Sequence, residues 1–231
     1  RSTPDGRRWG GQLRTEQGWI GGNSPLSASF VPAPEHEIQR LLEDLCRFVN
    51  RTDLPAVLQA AIAHAQFELI HPFADGNGRI GRCLIHVILR RRGGVTRVVP
   101  PVSTVFAADK DHYVNGIGEF AKGNLEPWCA QFADTTRIAC ERAIELTQQL
   151  AAAREQWYEK AGRPRRGSTV LRLLDLLLGQ PVVDVPAVAT ELRVSGEAAR
   201  LAVVQLEGAG VLRQVALSKV RRAWMATDVP D

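Results

Sequence analysis

The string His71-Pro72-Phe73-Ala74-Asp75-Gly76-Asn77-Gly78-Arg79-Ile80-Gly81-Arg82 gathers, within twelve residues, the side chains that phosphate chemistry needs. Gly76, Asn77 and Gly78 precede a helical pattern, so their backbone N–H groups can converge on an anion where the helix dipole adds partial positive charge. Arg79 and Arg82 stand three apart on the first turn of that helix. Their planar forks can therefore share a face and grip phosphate oxygens in paired contacts. Asp75 sits just ahead of this cradle, where a carboxylate beside phosphates needs a cation between them. Mg²⁺ takes one or two carboxylates plus phosphate oxygens, which makes Asp75 the metal-ligand candidate. His71 ends the preceding helix, faces the cradle across a short loop and titrates near neutrality, as a base that removes a hydroxyl proton must. A base, a metal carboxylate, an anion nest and two arginines make a site for phosphoryl or nucleotidyl transfer.

Singly, these residues have ordinary explanations. A histidine ending a helix is more often a cap or a core residue, and lone arginines are usually solvated. Their joint occurrence in one loop between two apolar helices favours the functional reading, with Phe73 as a ring that anchors the loop in the core. Gly76, Gly78 and Gly81 also spell GxGxxG, but the dinucleotide fingerprint needs a strand in front and an acidic residue about 20 positions later. Here a helix precedes, and no acidic residue occurs between Asp75 and Asp109. There is no GxxxxGK[ST] run either, which excludes a P-loop.

Two elements must hold this loop. Ala56 to Ile70 (AVLQAAIAHAQFELI) and Ile80 to Leu89 (IGRCLIHVIL) are apolar on nearly every face, which predicts two helices buried in the middle of a bundle. Upstream, Ile38, Leu41, Leu42, Leu45, Phe48 and Val49 recur at three- and four-residue steps, the stripe of an amphipathic helix. Before that, Arg14 to Ile20, the turn Gly21-Gly22-Asn23-Ser24-Pro25 and Ala28 to Val31 read as a hairpin. Downstream, helices are expected over Asp111 to Ala121 and from Glu126 toward Lys160, the latter carrying Trp128, Phe132, Ile138 and Leu146. Residues 1–160 thus read as a mainly α domain with one β-hairpin.

Ala161 to Ser168 (AGRPRRGS), with its glycines, proline and arginines, reads as a linker. Helices then follow at Leu171 to Leu178, at Val185 to Arg193 and from a Ser195 cap to about Glu207. Val211 to Val215 and Val220 to Met225 alternate like paired strands. Three helices and a hairpin over residues 169–231 predict a small winged-helix domain.

With 231 residues, 45% of them hydrophobic and 23% charged, the chain can bury a core, so an ordered globular protein is expected rather than a disordered one. No apolar run reaches the roughly 18 residues of a membrane span, and the first residues are too polar for a secretory leader, so a cytoplasmic location is expected. The chain does not begin with Met and is read as a fragment. Cys46, Cys83, Cys129 and Cys140 form no CxxC pair; Cys46 and Cys83 lie in apolar helical patterns and are expected to be small buried hydrophobes in a reducing compartment. The net charge of +4 is weak support for a nucleic-acid partner.

HPFADGNGRIGR fits, without a mismatch, the pattern HPFx[D/E]GNGRxxR of the Fic family (filamentation induced by cAMP). The resemblance extends upstream through AAIAHAQFELI and LRTEQGWIGG, which is similar to the family's flap hairpin. Downstream it runs through Pro101-Val102-Ser103 and Asp111-His112-Tyr113 to about Gln149, in all roughly two thirds of the chain. It implies a Fic-type helical bundle and a protein adenylyltransferase, which transfers AMP from ATP to a Ser, Thr or Tyr hydroxyl and releases pyrophosphate. By position it implies His71 as the base, Asp75 on Mg²⁺ at the α and β phosphates and Gly76, Asn77 and Gly78 as the anion hole. Arg79 and Arg82 would lie on the outer phosphates. Ile80 and Gly81 continue the nucleotide-binding turn, and Tyr113 lies near the nucleotide. The flap, Leu13 to Ile20, would hold the target protein by strand addition.

Many members of that family are restrained by a helix with [S/T]xxxE[G/N], whose Glu pairs with the second motif arginine, here Arg82. The only Glu-Gly or Glu-Asn pair, Glu207-Gly208, has Val203 where Ser or Thr is needed, so any such helix is expected upstream or on another chain. The rival reading is a nucleotide-sensing DNA-binding regulator, with the helix after Ser195 in the major groove and Lys219, Arg221 and Arg222 on phosphates. That helix has one basic residue, Arg200, against Glu197 and Glu207, which favours packing, homodimerisation or target docking over DNA. Removal of AMP, or use of another nucleotide, is the third reading.

Overall fold

The computed structural model describes residues 11–20, 23, 25–28, 30–95, 98–216 and 222–228. It divides into two compact units, Arg1–Glu141 and Arg142–Asp231. The division falls inside a long helix, ahead of the 161–168 segment read as a linker.

In the first unit, α1 spans Ile38–Val49 after a short 3-10 turn at Glu35–Glu37, α2 spans Ala56–Ile70 and α3 spans Asn77–Arg91. Helix α2 has the bounds read from its composition. Its Ala60, Ala61, Ala63 and Ala65 are fully buried, small side chains that let neighbouring helices approach on several sides at once. The expectation for α3 fails on one face. Asn77, Gly81, Ile85 and Ile88 form a buried stripe, whereas Ile80, Cys83 and Val87 are exposed, Val87 at 59%. Helix α3 packs on α2 through that stripe, and its apolar residues exceed what a one-sided contact can cover. Cys46 is also exposed, so neither Cys46 nor Cys83 is the buried hydrophobe that the pattern predicts.

Helix α4 (Val102–Ala108), which no periodicity announced, begins directly after Pro101. Helices α5 (Lys110–Ala121) and α6 (Leu125–Lys160) follow as read. Trp128 and Phe132 of α6 are fully buried in the first unit's core, and the Trp128 indole N–H donates to the Ala61 carbonyl at 2.8 Å. Arg92, just past α3, donates to the carbonyls of Thr52 and Leu54 and to Gln59 Oε1, fixing the α1–α2 connection. The flap is paired at two points. Ile20 and Phe30 exchange backbone hydrogen bonds of 2.9 and 3.2 Å, and Leu13 bridges Phe73 in antiparallel register. Gly21, Gly22 and Ser24 lie outside the described residues.

In the second unit, α7 (Thr169–Leu177), α8 (Val185–Leu192) and α9 (Gly196–Gly208) each start at an oxygen-bearing cap, Ser168, Asp184 and Ser195, that accepts a backbone N–H of the first turn. Strands β1 (Val182–Val183), β2 (Leu212–Ala216) and β3 (Arg222–Ala226) form an antiparallel sheet in the order β1-β3-β2. The two-residue β1 was not read from the sequence. Leu173, Leu174, Leu177, Val188, Val203 and Leu206 make the core with Trp157. Lys219 and Arg221 lie outside the described residues. Among those described, no helix is long and apolar enough to cross a membrane.

Candidate active site

Helix α2 ends in a left-handed cap occupied by His71, with φ 48° and ψ 59°, a conformation uncommon outside glycine and asparagine. Its N–H closes the helix on the Phe67 carbonyl at 2.9 Å. The imidazole Nδ1 lies 3.3 Å from the Glu68 carbonyl; with Nδ1–H donating there, Nε2 keeps its lone pair. Burial lowers the His71 pKa, the Glu68 carbonyl partly restores it and the nearby Arg14 cation lowers it again. The ring is thus neutral at neutral pH and able to accept a proton.

Arg14 holds this cap in place. It is a buried arginine, 8% exposed, whose guanidinium donates to the carbonyls of His71 (2.8 Å), Glu16 (3.0 Å), Ile70 (3.3 Å) and Ala33. Its backbone N–H donates to the Pro72 carbonyl at 2.9 Å. The base of the flap is therefore fastened to the loop that follows α2 by backbone and side chain together.

Asn77 closes the loop from the other end. Its Oδ1 accepts the Phe73 N–H at 2.9 Å and its Nδ2 donates to the Phe73 carbonyl at 2.6 Å, so the buried amide is spent on loop shape. Phe73 packs against the core with its ring 6.4 Å from that of Phe67, as an anchor should. Gly76 has φ 89°, which a side chain would strain. It is the N-cap of α3. The Ile80 N–H already bonds the Gly76 carbonyl, so the N–H groups of Asn77, Gly78 and Arg79 point out of the helix end with no helical acceptor.

The two arginines behave differently. Arg79 is exposed and pairs with Asp75 at 3.0 Å, also exposed. Arg82 is half-buried, and among the described residues it has no hydrogen-bond or ion-pair partner. A Cβ on Gly78 would come within 3.0 Å of Arg82 Nη1, so the guanidinium lies back over the first turn of α3. Ile80 is 43% exposed. Gly81 is required by packing, because a Cβ there would meet Glu68 Oε1 at 2.5 Å and Phe67 at 3.1 Å.

Tyr113 comes to the site from α5. Its hydroxyl lies 2.9 Å from His64 Nε2, and burial followed by the Glu68 charge raises its pKa. A cavity of about 210 Å³ opens beside it, lined by Ile20, Phe30, Leu69 and Ile117 together with Tyr113 and Glu68. His64 is fully buried, and desolvation lowers its pKa to about 4, so it is neutral. Burial raises that of Glu68 to about 7 against the opposing pull of Arg82. Among the described residues no group of three or more His, Cys, Asp or Glu could hold a metal ion.

The sequence reading missed Arg14, His64 and Glu68 as parts of this site. A signal existed for the last two: His64, Glu68 and His71 stand at i, i+4 and i+7, three titratable groups on one face of an otherwise apolar helix.

Residues 2–89 match the model of the Fic/DOC family. A protein adenylyltransferase of Caenorhabditis elegans, fic-1, is 31% identical over 134 residues, which cover 58% of this chain and 24% of that protein. A probable protein adenylyltransferase of Aquifex aeolicus is 30% identical over 101 residues, covering 43% and 29%. This chain therefore spans about a quarter of the length of such relatives. A crystal structure of a Fic family protein from Desulfovibrio desulfuricans G20 is similar at a TM-score of 0.54 and 20% identity, over 94% of this chain and 62% of that one, which shows a shared fold.

Proposed function

We propose, from the match of residues 2–89 to the Fic/DOC family model, that the chain is a Fic-type protein adenylyltransferase, moving AMP from ATP to a Ser, Thr or Tyr hydroxyl of a target protein. The observation that carries this reading is the juxtaposition of a neutral His71, whose Nε2 is free, with a helix end that offers unspent N–H groups.

His71 Nε2 takes the proton of the target hydroxyl as that oxygen attacks the α phosphorus; the bond to the β phosphate breaks and pyrophosphate leaves. The N–H groups of Asn77, Gly78 and Arg79 receive phosphate oxygens, and Arg82, which has no partner to give up among the described residues, binds the outer phosphates. Arg79 joins it by exchanging Asp75 for phosphate. Asp75, thereby released, would hold Mg²⁺, a fit consistent with one exposed carboxylate beside an anion nest. The ion, when bound, neutralises charge developing between the α and β phosphates. Ile80, which is exposed, and Gly81, which is packed on α2, continue the nucleotide-binding turn. The apolar cavity beside Tyr113 takes the base, and the edge at Leu13 to Ile20 takes the target as an added strand.

The second unit reads as a winged-helix accessory module following the catalytic domain. On α9, Arg200 is paired with Glu197 at 2.7 Å, while Leu201 and Val204 are exposed, which favours protein docking over DNA. A restraining glutamate for Arg82 is expected from an upstream segment or another chain, and the setting is cytoplasmic.

Intact-mass measurement after incubation with ATP and Mg²⁺ tests the reading. The expected result is a gain of AMP on a hydroxyl side chain of the protein itself or of an added target, with pyrophosphate released. Nucleotide binding without any transfer would instead leave a sensor.

A further inference from the structure

The flap turns its side chains alternately to two faces. Ile20 and Phe30 stand opposite each other and both line the cavity beside Tyr113 and Leu69, so their face belongs to the site. The same antiparallel register sets Trp19 opposite Val31 and Gly18 opposite Pro32, where a Cβ on Gly18 would lie 3.9 Å from Pro32 Cγ. Trp19 and Val31 therefore share the other face of the hairpin. They are 44% and 45% exposed, two apolar side chains paired across the strands and left partly in water.

The backbone supplies a second, independent observation at the same residue. Ile20 exchanges both of its hydrogen bonds with Phe30, so the N–H and C=O of its neighbour Trp19 point away from that strand, toward the outer edge. Among the described residues neither group has a partner. Trp19 thus offers an open ladder position together with an exposed indole. The other end of this segment is fastened at Leu13 and Arg14 to Phe73 and Pro72, so the edge leads from Trp19 to the loop that begins at His71.

We infer that Trp19 is a specificity-determining residue for the target protein, selecting an apolar or aromatic side chain directly beside the hydroxyl that is modified. The inference rests on the reading of the flap as the docking edge of a protein adenylyltransferase. A strand added at the outer edge pairs one of its residues with Trp19, exchanges two backbone hydrogen bonds with it and lays that residue's side chain against the indole. Alternation then fixes the spacing. The modified hydroxyl must face the site, as Ile20 does, and successive residues of a strand face opposite ways. The residue against the indole is therefore an odd number of positions from the modified Ser, Thr or Tyr, the nearest being its immediate neighbour. One cross-strand pair with an aromatic ring gives a graded preference, about three- to tenfold in kcat/KM and carried by KM.

Extended synthetic peptides with one threonine, flanked on either side by Ala, Glu, Val or Phe, test this with the whole chain, Mg²⁺ and labelled ATP. Wild type is expected to favour Val and Phe neighbours over Ala and Glu by that factor. Trp19→Ala should raise KM for the Val and Phe peptides to that of the Ala peptide, and Trp19→Phe should keep the preference. No preference in wild type, or the same preference in Trp19→Ala, overturns the inference and leaves the adenylyltransferase reading standing. Docking is also read without turnover, by ¹⁹F NMR of protein carrying fluorotryptophan, with the Trp19 signal assigned from its loss in Trp19→Phe. A shift of that signal with the Val and Phe peptides and not with the Ala and Glu peptides is expected. No shift, or an equal shift with every peptide, overturns the inference whether or not AMP is transferred. A selective shift in a protein that transfers AMP to no peptide and to no residue of its own overturns the adenylyltransferase reading and leaves Trp19 as the selecting residue of a docking edge.

Discussion

In the first unit the interior holds Arg14, Gln59, His64, Asn77, Thr135 and Thr136, whereas the second unit buries no polar or charged residue among those described. Polar groups taken out of water lose stability unless each is hydrogen-bonded, so an apolar core is the cheaper way to fold. Arg14, Gln59, His64, Asn77 and Thr136 are hydrogen-bonded, and the partners of Arg14 and Asn77 include the backbone of one loop. Arg14 meets the carbonyls that end α2, Asn77 meets the backbone of Phe73, and His64 meets Tyr113. Its interior is organised around a site, and that of the second unit around leucine and valine packing. The contrast locates the chemistry before any motif is consulted.

The sharpest way to break this contrast is His71→Ala. AMP transfer is expected to fall by about 10² to 10⁴-fold, the usual share of a general base, with the melting temperature nearly unchanged. A large stability loss with transfer intact would make His71 a cap only. Leu173→Ala in the second unit should do the reverse. It removes about 2–5 kcal/mol of packing from that core while labelled-ATP transfer by the first unit persists. Loss of transfer would show that the second unit shapes the site.

Arg14→Met leaves carbonyls at the end of α2 without donors. Its expected cost of about 2–4 kcal/mol, read by denaturant melts, should come with a larger drop in transfer than the stability loss explains, because the His71 cap and the flap lose their common fastening. Gly81→Ala puts a methyl where Glu68 and Phe67 already stand, and overpacking of this kind costs about 1–3 kcal/mol; the same change at the open Gly208 should cost less than about 0.5 kcal/mol. The smallest effect is in the pH profile. Because burial lowers the His71 pKa below 6.5, the acid limb of transfer governed by this residue should fall below pH 6.5, rate being lost as His71 takes a proton. A limb centred above 6.5 that disappears in His71→Ala would contradict the burial.

Legibility in the sequence followed the range of the interactions. The helix Ala56–Ile70, the cap Ser195 and the helix start after Gly76 rest on contacts within a few residues, and the text of the chain states them; the cap Ser168 was read only as the end of a linker. The exposure of Cys83 and Val87 did not follow, since their apolar setting is the same whichever face a neighbouring helix covers. Helix α4 was too short to show a period, and β1 too short to show alternation. Arg14, read only as part of a flap, owes its role to carbonyls as far along the chain as His71.

By itself the sequence determined the chemistry on offer: which residue can take a proton, which backbone can face an anion, and where a carboxylate could meet a metal. Those properties belong to residue types and to spacing along one helix start, which local geometry enforces. Only the tertiary structure decided how the offer is arranged. Arg79 is held by Asp75 while Arg82 stays unpaired among the described residues; burial raises Glu68 toward neutrality; and His71 is kept neutral by burial beside an arginine that is 57 residues away in the chain. Burial and long-range partners set charge states, and neither is written in the spacing of a motif.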